Sequence, residues 1–213
     1  MSGPVSSGFA LFAQNMPKTA QAHMAFVRAK AEESALDEKT SHLAYLAVLA
    51  AAGLTDGIAF HVGLARKAGA TISFDPNLRE ELLDVRGVSL LRRMAALSDV
   101  IFPSDGELER IGMDISGLLR SGVVVCETHA EQGATVLRGE DRWDCPALAD
   151  PTEVVDTDGA GDTFAGAFVA ASMAGLALPD ALRIASHAVA RAVTVPGPMT
   201  VVFEAGLEGL AGA

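Results

Sequence analysis

The stretch Val154-Val155-Asp156-Thr157-Asp158-Gly159-Ala160-Gly161-Asp162-Thr163-Phe164 has residue types and spacing that could do chemistry. A strand-like end runs into Gly-Ala-Gly and then opens a helix. Glycine permits positive φ and lets the main chain approach a ligand closely. Amides at a helix N-terminus, with the helix dipole behind them, make a site for an anion. A carboxylate set there would be a poor choice if the site only had to hold an anion. Asp162 therefore reads as a base that takes a proton from an attacking hydroxyl, while the amides of Gly159, Ala160 and Gly161 steady a transferring phosphoryl group. Three other readings compete. Asp162 in isolation also suits a helix cap. A dinucleotide site wants G-x-G-x-x-G, and the third position here is Phe164. A P-loop needs G-x-x-x-x-G-K-[ST], a string this sequence does not contain.

The elements that must position this stretch follow from periodicity and punctuation. Residues 1–27 carry scattered Gly, Ser and Pro and give no clear pattern. Asp37-Glu38 opens a helical run with Leu43, Leu46, Ala47 and Ala50 at spacings of three and four, and a second helix covers Ile58 to Lys67, ending at Gly69. Ala70 to Phe74 reads as a strand cut off by Asp75-Pro76-Asn77. A helix over Val88 to Leu97 precedes a strand over Asp99 to Phe102, and a short helix over Glu107 to Ile111 precedes a strand over Val123 to Cys126. Ala134 to Leu137 and the segment around Trp143 form a hairpin about the polar turn Gly139-Glu140-Asp141. Two helices close the pattern, Asp162 to Ala174 and Asp180 to Val195, the second with Pro179 at its start and Pro196 at its end. Alternating strands and helices predict an α/β fold with a mostly parallel sheet flanked by helices and active-site loops at the strand C-termini.

Composition excludes several classes of function. Half of the 213 residues are hydrophobic and a fifth are charged, enough for a sizeable core. With 16 Lys plus Arg against 27 Asp plus Glu the net charge is -11, which repels a phosphate backbone and argues against nucleic acid as a partner. Cys126 and Cys145 lack metal-ligand spacing, and the five histidines are scattered, so reduced cysteines and no Cys/His metal cluster are expected. The N-terminus shows no basic stretch followed by an apolar run, and the longest uncharged segment, Phe164 to Leu178, reads as a buried helix rather than a membrane span. A cytoplasmic protein with no membrane partner is the expectation.

The string from Asp156 to Phe164 resembles the C-terminal signature of the ribokinase-like (PfkB) carbohydrate kinases, Asp-Thr-x-Gly-Ala-Gly-Asp-x-Phe. Further elements occur in the family's order: Asp75-Pro76-Asn77-Leu78-Arg79, Ser104-Asp105-Gly106-Glu107, Gln132-Gly133-Ala134 and Pro196-Gly197. Phe26-Val27-Arg28 followed by Glu33-Ser34-Ala35 is similar to the 2-keto-3-deoxygluconate kinase branch. The resemblance runs from about Ser7 to Val202. It implies a ribokinase-like α/β domain over 1–213, with 1–35 a remnant of the sugar or lid side and 36–205 the nucleotide-side core. It also implies ATP and Mg²⁺, with the γ-phosphoryl group passing to a primary hydroxyl of a small-molecule sugar or sugar acid. By the same resemblance Asp162 is the base and Gly159, Ala160 and Gly161 form the anion hole. Ser104, Thr128, Gly133 and His187 lie along the nucleotide, Glu107 organises Mg²⁺ and its waters, and Arg28 and Arg79 face the acceptor. The arginine pair suits a sugar acid because guanidinium grips a carboxylate in bidentate fashion.

The sequence also departs from that pattern. Ser104 stands for the usual Asn, Thr128 and Ala130 for Lys and Gly, and Asp158 adds a carboxylate beside the anion hole. The family's first strands and its Gly-Gly-x-x-x-Asn sugar-binding element have no counterpart, so an N-terminally truncated fold is expected. Without them a strand edge and apolar helix surface are left open. Weak turnover and self-association into a homo-oligomer are the consequences expected of the chain alone. Two rival readings remain: a non-catalytic nucleotide-binding remnant, and a NAD(P)-binding enzyme suggested by Gly-x-Gly before a helix.

Overall fold

Ser6 accepts a hydrogen bond from the Phe9 amide and Asp37 accepts one from Thr40, and these two caps start helices at either end of the first helical region. The computed structural model describes residues 6–54, 57–79 and 84–198. The chain divides into two compact units, Met1–Thr71 and Ile72–Ala213. The part of the expected core beyond residue 198, together with Val202, lies outside the described residues.

The first unit is helical: α1 (Ser7–Asn15), α2 (Pro17–Glu32), α3 (Glu38–Ala51) and α4 (Ile58–Lys67). The spacing predicted α3 and α4, and α4 has the expected bounds. It gave no sign of α1 and α2, because their apolar residues form no periodic stripe and Ala20 is the one buried residue of the pair. Large apolar side chains on this unit face outward, Phe26 at 66 % exposure and Val48 at 64 %.

The second unit holds a five-stranded sheet of β1 (Ser73–Phe74), β2 (Val100–Ile101), β3 (Val124–Thr128), β4 (Ala134–Arg138) and β5 (Asp141–Cys145) in the order β1-β2-β3-β4-β5. β1, β2 and β3 are parallel, whereas β3-β4 and β4-β5 are antiparallel. The α/β class stands, and the expected hairpin supplies the antiparallel half. The helices are α5 (Val85–Leu97), α6 (Glu107–Arg110), α7 (Ile115–Arg120), α8 (Ala160–Met173) and α9 (Leu178–Ala192). α5 begins three residues before the predicted Val88 because Asp84 accepts from the Gly87 amide and caps it.

Strand alternation sorts the core. Val100, Phe102 and Cys126 point into a cluster with Phe164, Phe168, Leu182 and Ile184 of α8 and α9. Their neighbours Ile101, Val123 and Val125 point the other way, into a cluster with Ala95, Leu108, Ile111 and Leu118 of α5 to α7 and the loops beside them. The sheet is thus covered on both faces, as a parallel sheet requires. Phe102 meets Phe168 edge-on with ring centroids 5.8 Å apart, which fixes α8 beneath the end of β2.

Two loop residues define the connection between β3 and β4. Ala130 has φ of +48°, a left-handed conformation that a side chain disfavours. Gly133 has φ of +106°, and a Cβ there would meet Cys145 O at 2.1 Å. These positions predict opposite outcomes in urea denaturation. Ala130→Gly raises stability by about 1 kcal/mol, and Gly133→Ala lowers it by about 3 kcal/mol or more, since both strain and a backbone collision are introduced. Phe168→Ala, which empties a position only 1 % exposed, costs about 3–5 kcal/mol in the same measurement.

Candidate active site

The strand C-termini carry the loops that the site is built from. After β1 comes Asp75-Pro76-Asn77-Leu78, and after β2 comes Ser104-Asp105-Gly106-Glu107. Glu107 joins them. Its side chain is buried, its Oε1 accepts from the Leu78 amide at 2.8 Å, and its Oε2 accepts from the Ser104 amide at 2.9 Å. The predicted metal-organising carboxylate thus has both oxygens on backbone amides, with only their remaining lone pairs open to water or a cation.

The loop before α8 is tied down in a similar way. Asp156 accepts from the Asp158 amide at 2.9 Å and from the Gly197 amide at 2.8 Å, and these bonds hold its carboxyl below the usual range. Val155 and Asp156 also donate their amides to Val193 O at the end of α9. Gly159 caps α8 at φ of +74°, where a Cβ would come within 2.6 Å of Pro198 Cβ. Only glycine fits that turn. The Ala160 amide donates to Thr157 O. Among the described residues the amides of Gly159, Gly161 and Asp162 meet no acceptor, as expected of a helix start. Apart from its chain neighbours and the backbone of its own helix, no heavy atom of the described residues lies within 4 Å of the place a Gly161 Cβ would take. Asp162 sits exposed in the first turn of α8.

Asp75 completes the carboxylates here. Burial pushes its pKa up, the negative charges of Glu107 and Asp162 push it further, and the bond from the Asn77 amide and the charge of Arg79 oppose them. Arg79 is exposed and electrostatically coupled to Asp75. Among the described residues no group of three His, Cys, Asp or Glu has the arrangement to hold a metal ion.

A cleft of about 780 Å³ opens between these loops. Ser104, Thr128 and Gly133 line one part of it, Thr157, Ala160 and Gly161 another, and Ser186, Val189, Ala190 and Val193 of α9 and its C-cap the apolar wall. His187, the predicted adenine-side residue, is not among the cleft-lining residues, because the stripe 186, 189, 190, 193 follows the helix pitch and leaves position 187 off it. Gly159, Asp162, Glu107 and Arg79 do not line the cleft either. Arg28 is exposed on α2 in the first unit.

Sequence reasoning missed a chain of polar contacts at the rim. His129 Nδ1 meets Asp105 Oδ1, and His129 Nε2 lies 3.0 Å from Thr135 Oγ1. Thr135 donates to Asp144 at 2.7 Å, and Arg142 grips Asp144 at 2.7 Å. These partners sit on four separate segments, and no local spacing announces them.

The same architecture occurs in solved kinases. A ribokinase II structure from E. coli, 34 % identical, covers 68 % of this chain and 49 % of its own with a TM-score of 0.61, and the complex of that protein with ATP and Mg²⁺ scores 0.56. The nucleoside kinase of Methanothermobacter thermautotrophicus is 32 % identical over 67 % of this chain and 46 % of its own length. The 2-dehydro-3-deoxygluconokinase of Bacillus subtilis is 33 % identical over 63 % and 44 %. Nucleoside and sugar-acid kinases are therefore about equally similar, and the single branch expected from Phe26 to Ala35 gives way to the family as a whole. The alignments span just under half the length of these curated relatives. The pfkB family carbohydrate kinase model matches residues 18–204, and with the site loops, the sheet and these neighbours in agreement, the chain belongs to the pfkB family of carbohydrate kinases.

Proposed function

We propose that this chain carries the phosphoryl-transfer site of an ATP-dependent kinase acting on the primary hydroxyl of a sugar acid of the 2-keto-3-deoxygluconate type. One observation carries the reading: an exposed carboxylate, Asp162, stands in the first turn of α8 beside amides that have no acceptor among the described residues, next to a cleft large enough for a nucleotide. Asp162 takes the proton from the acceptor hydroxyl. The freed oxygen bonds to the γ-phosphorus as the bond to the β–γ bridging oxygen breaks, and ADP leaves. The amides of Gly159 and Gly161 and the dipole of α8 hold the phosphoryl oxygens, and the Asp162 amide adds a third donor. Ala160 contributes to the shape of this turn. Ser104, Thr128 and Gly133 flank the nucleotide, and the apolar stripe of α9 receives its base, with His187 on the neighbouring face.

Mg²⁺ brought by the nucleotide phosphates would supply positive charge to the transferring phosphoryl group, and Glu107 would hold it through its water shell. Glu107 orients that shell through its free lone pairs, and the mutual repulsion of Asp75, Glu107 and Asp162 favours a cation nearby. Arg79 offers a guanidinium to the acceptor's carboxylate, and Arg28 is assigned to the acceptor as well. A panel of sugar acids, neutral sugars and nucleosides in an ADP-release assay tests which acceptor is used.

A second reading, a nucleotide-binding piece that does not turn over alone, is favoured by β1, which pairs only with β2 among the described strands. That leaves one edge open for another strand or a second copy. Sugar-dependent ADP release from a monomer, with light scattering run on the same sample, decides against this reading.

Asp162→Asn lowers turnover on the order of 10²–10⁴-fold while Mg·ATP binding stays within a few-fold, as a coupled ADP-release assay and calorimetry read it. Equal turnover in mutant and parent overturns the base assignment. Mg·ATP raises the thermal midpoint of the parent by mass action, and Gly161→Val, which projects a side chain into the cleft, abolishes that rise. Asp75 gives a pH signature. Its raised pKa means that the folded chain holds this proton more tightly than the unfolded one. Its contribution to stability therefore falls as pH rises from the ordinary carboxylate value through the folded one. Asp75→Asn removes that fall, so acid-range denaturation curves of mutant and parent separate above it and converge below.

A further inference from the structure

The loop from Thr128 to Gly133 walls the cleft in a conformation that its own residues disfavour. Ala130 is left-handed, and the 3-10 turn Ala130–Gln132 closes through three backbone bonds, Gln132 N to His129 O at 2.9 Å, Gly133 N to Ala130 O at 3.2 Å and His129 N to Gly133 O at 2.8 Å. His129 anchors it from both sides of its ring. Nδ1 meets the carboxylate of Asp105, a cleft-lining residue, and Nε2 meets Thr135 Oγ1 on β4 at 3.0 Å.

Proton bookkeeping settles what the ring must be. The single hydroxyl proton of Thr135 goes to Asp144 Oδ1 at 2.7 Å. Asp144 is an acceptor throughout the neutral range, since the Arg142 and Thr135 bonds hold its carboxyl at about 2. Thr135 Oγ1 can then only accept from Nε2. An ionised Asp105 carboxylate can only accept from Nδ1. Both ring nitrogens must donate, and only the imidazolium does so.

We propose that His129 is a positioning residue that, as an imidazolium, clasps the nucleotide-side loop between Asp105 and Thr135, and so couples nucleotide affinity to proton uptake. This rests on the reading of the cleft as a nucleotide site. Charged groups surround the ring. Asp105 faces it from the loop after β2, Glu127 interacts with it from β3, and Asp144 faces it from β5 with Arg142 as the opposing charge. As pH rises through the range where an imidazole loses its proton, one N–H becomes a lone pair aimed at an oxygen. The clasp then opens on one side and Ala130 is free to leave its strained conformation. Affinity for the nucleotide is therefore highest at the acid side of that range and falls toward the basic side.

The experiment compares the parent with His129→Gln by calorimetry of Mg·ATP at about pH 6 and about pH 8, the span of imidazole titration. Taking the ratio of affinities at each pH cancels the titration of the nucleotide's own phosphates. The expected ratio is roughly tenfold in favour of the parent at the lower pH, the worth of a charge-assisted bond, and near unity at the higher. An equal ratio at both overturns the proposal. Hydrogen-exchange protection factors of the Gln132 and Gly133 amides in ligand-free parent give a second readout, needed if the variant does not fold. They fall from the lower to the higher pH if the clasp exists, and flat protection overturns it even where ATP binds. Pronounced pH-dependent protection with no ATP binding at either pH overturns instead the nucleotide reading of the cleft, and with it the coupling.

Discussion

A buried carboxylate with two backbone amides in its grip is the constraint on which the site depends. Glu107 reaches the Leu78 amide with one oxygen and the Ser104 amide with the other, and so holds the loops after β1 and β2 in register. Charge-assisted bonds of this kind are worth about 1.5–3 kcal/mol each. Losing the carboxylate would leave two inward-facing amides without an acceptor. Everything downstream inherits that placement. Ser104 is then set to bridge Thr128, with hydroxyls 3.3 Å apart and Asp105 N on Thr128 O, so the β3 end is aligned with the β2 end. Asp75 is held close enough to feel Glu107 and Asp162. The acidic corner is therefore a consequence of stitching three strand ends together, and the chemistry proposed for it uses a geometry that the fold needs in any case.

What was legible in the sequence was local. The turn into α8 is written in eleven consecutive residues, and the structure gives each glycine there a distinct part to play. Gly159 supplies a left-handed cap against Pro198, and Gly161 leaves the space above it open. The hairpin and α4 could be read because a single period ran uninterrupted between turn residues. α1 and α2 could not, because helices that bury only Ala20 carry no stripe for a periodicity argument to find. No proline- or glycine-rich linker marks the boundary between the two units at Thr71. His187 stands one position along α9 from Ser186. A shift of one residue on a helix is a rotation of about 100°, and that is enough to move it off the stripe that Ser186 and Val189 share. The His129 relay was out of reach altogether, since its members come from four segments brought together only by the sheet.

Electrostatics explain why the anion site must be built from backbone. The chain carries a net charge of -11, and among the described residues the cleft lining includes Asp105 and Glu131 but no lysine or arginine, the Arg110 guanidinium being held on the Asp105 backbone carbonyl at 3.0 Å. A polyphosphate approaching such a surface gains nothing from side-chain charge. Favourable field comes from the start of α8, where the amides of Gly159, Gly161 and Asp162 point outward with the helix dipole behind them. That source is short-ranged, so it acts on the terminal phosphoryl group and hardly at all on the rest of the nucleotide. Thr128, in the place where lysine is expected, fits this division, because a hydroxyl adds a hydrogen bond without adding charge.

The same division bears on the Thr128–Gly133 loop. If side-chain cations do not draw the phosphates in, the loop's contribution to binding is its shape, and shape held against local preference has to be maintained by something. Ala130 in the left-handed region costs on the order of 1 kcal/mol, and the three backbone bonds that close the loop are made in spite of that strain. The Asp105–His129–Thr135–Asp144–Arg142 chain fills that role by joining the loop to β4 and β5, the most continuous pairing in the sheet. Glycine at position 130 would relieve the strain and leave the same chain of contacts with less to hold. The strain at Ala130 and the clasp at His129 are thus two sides of one balance, and the loop stays ordered only while the ring keeps both of its partners.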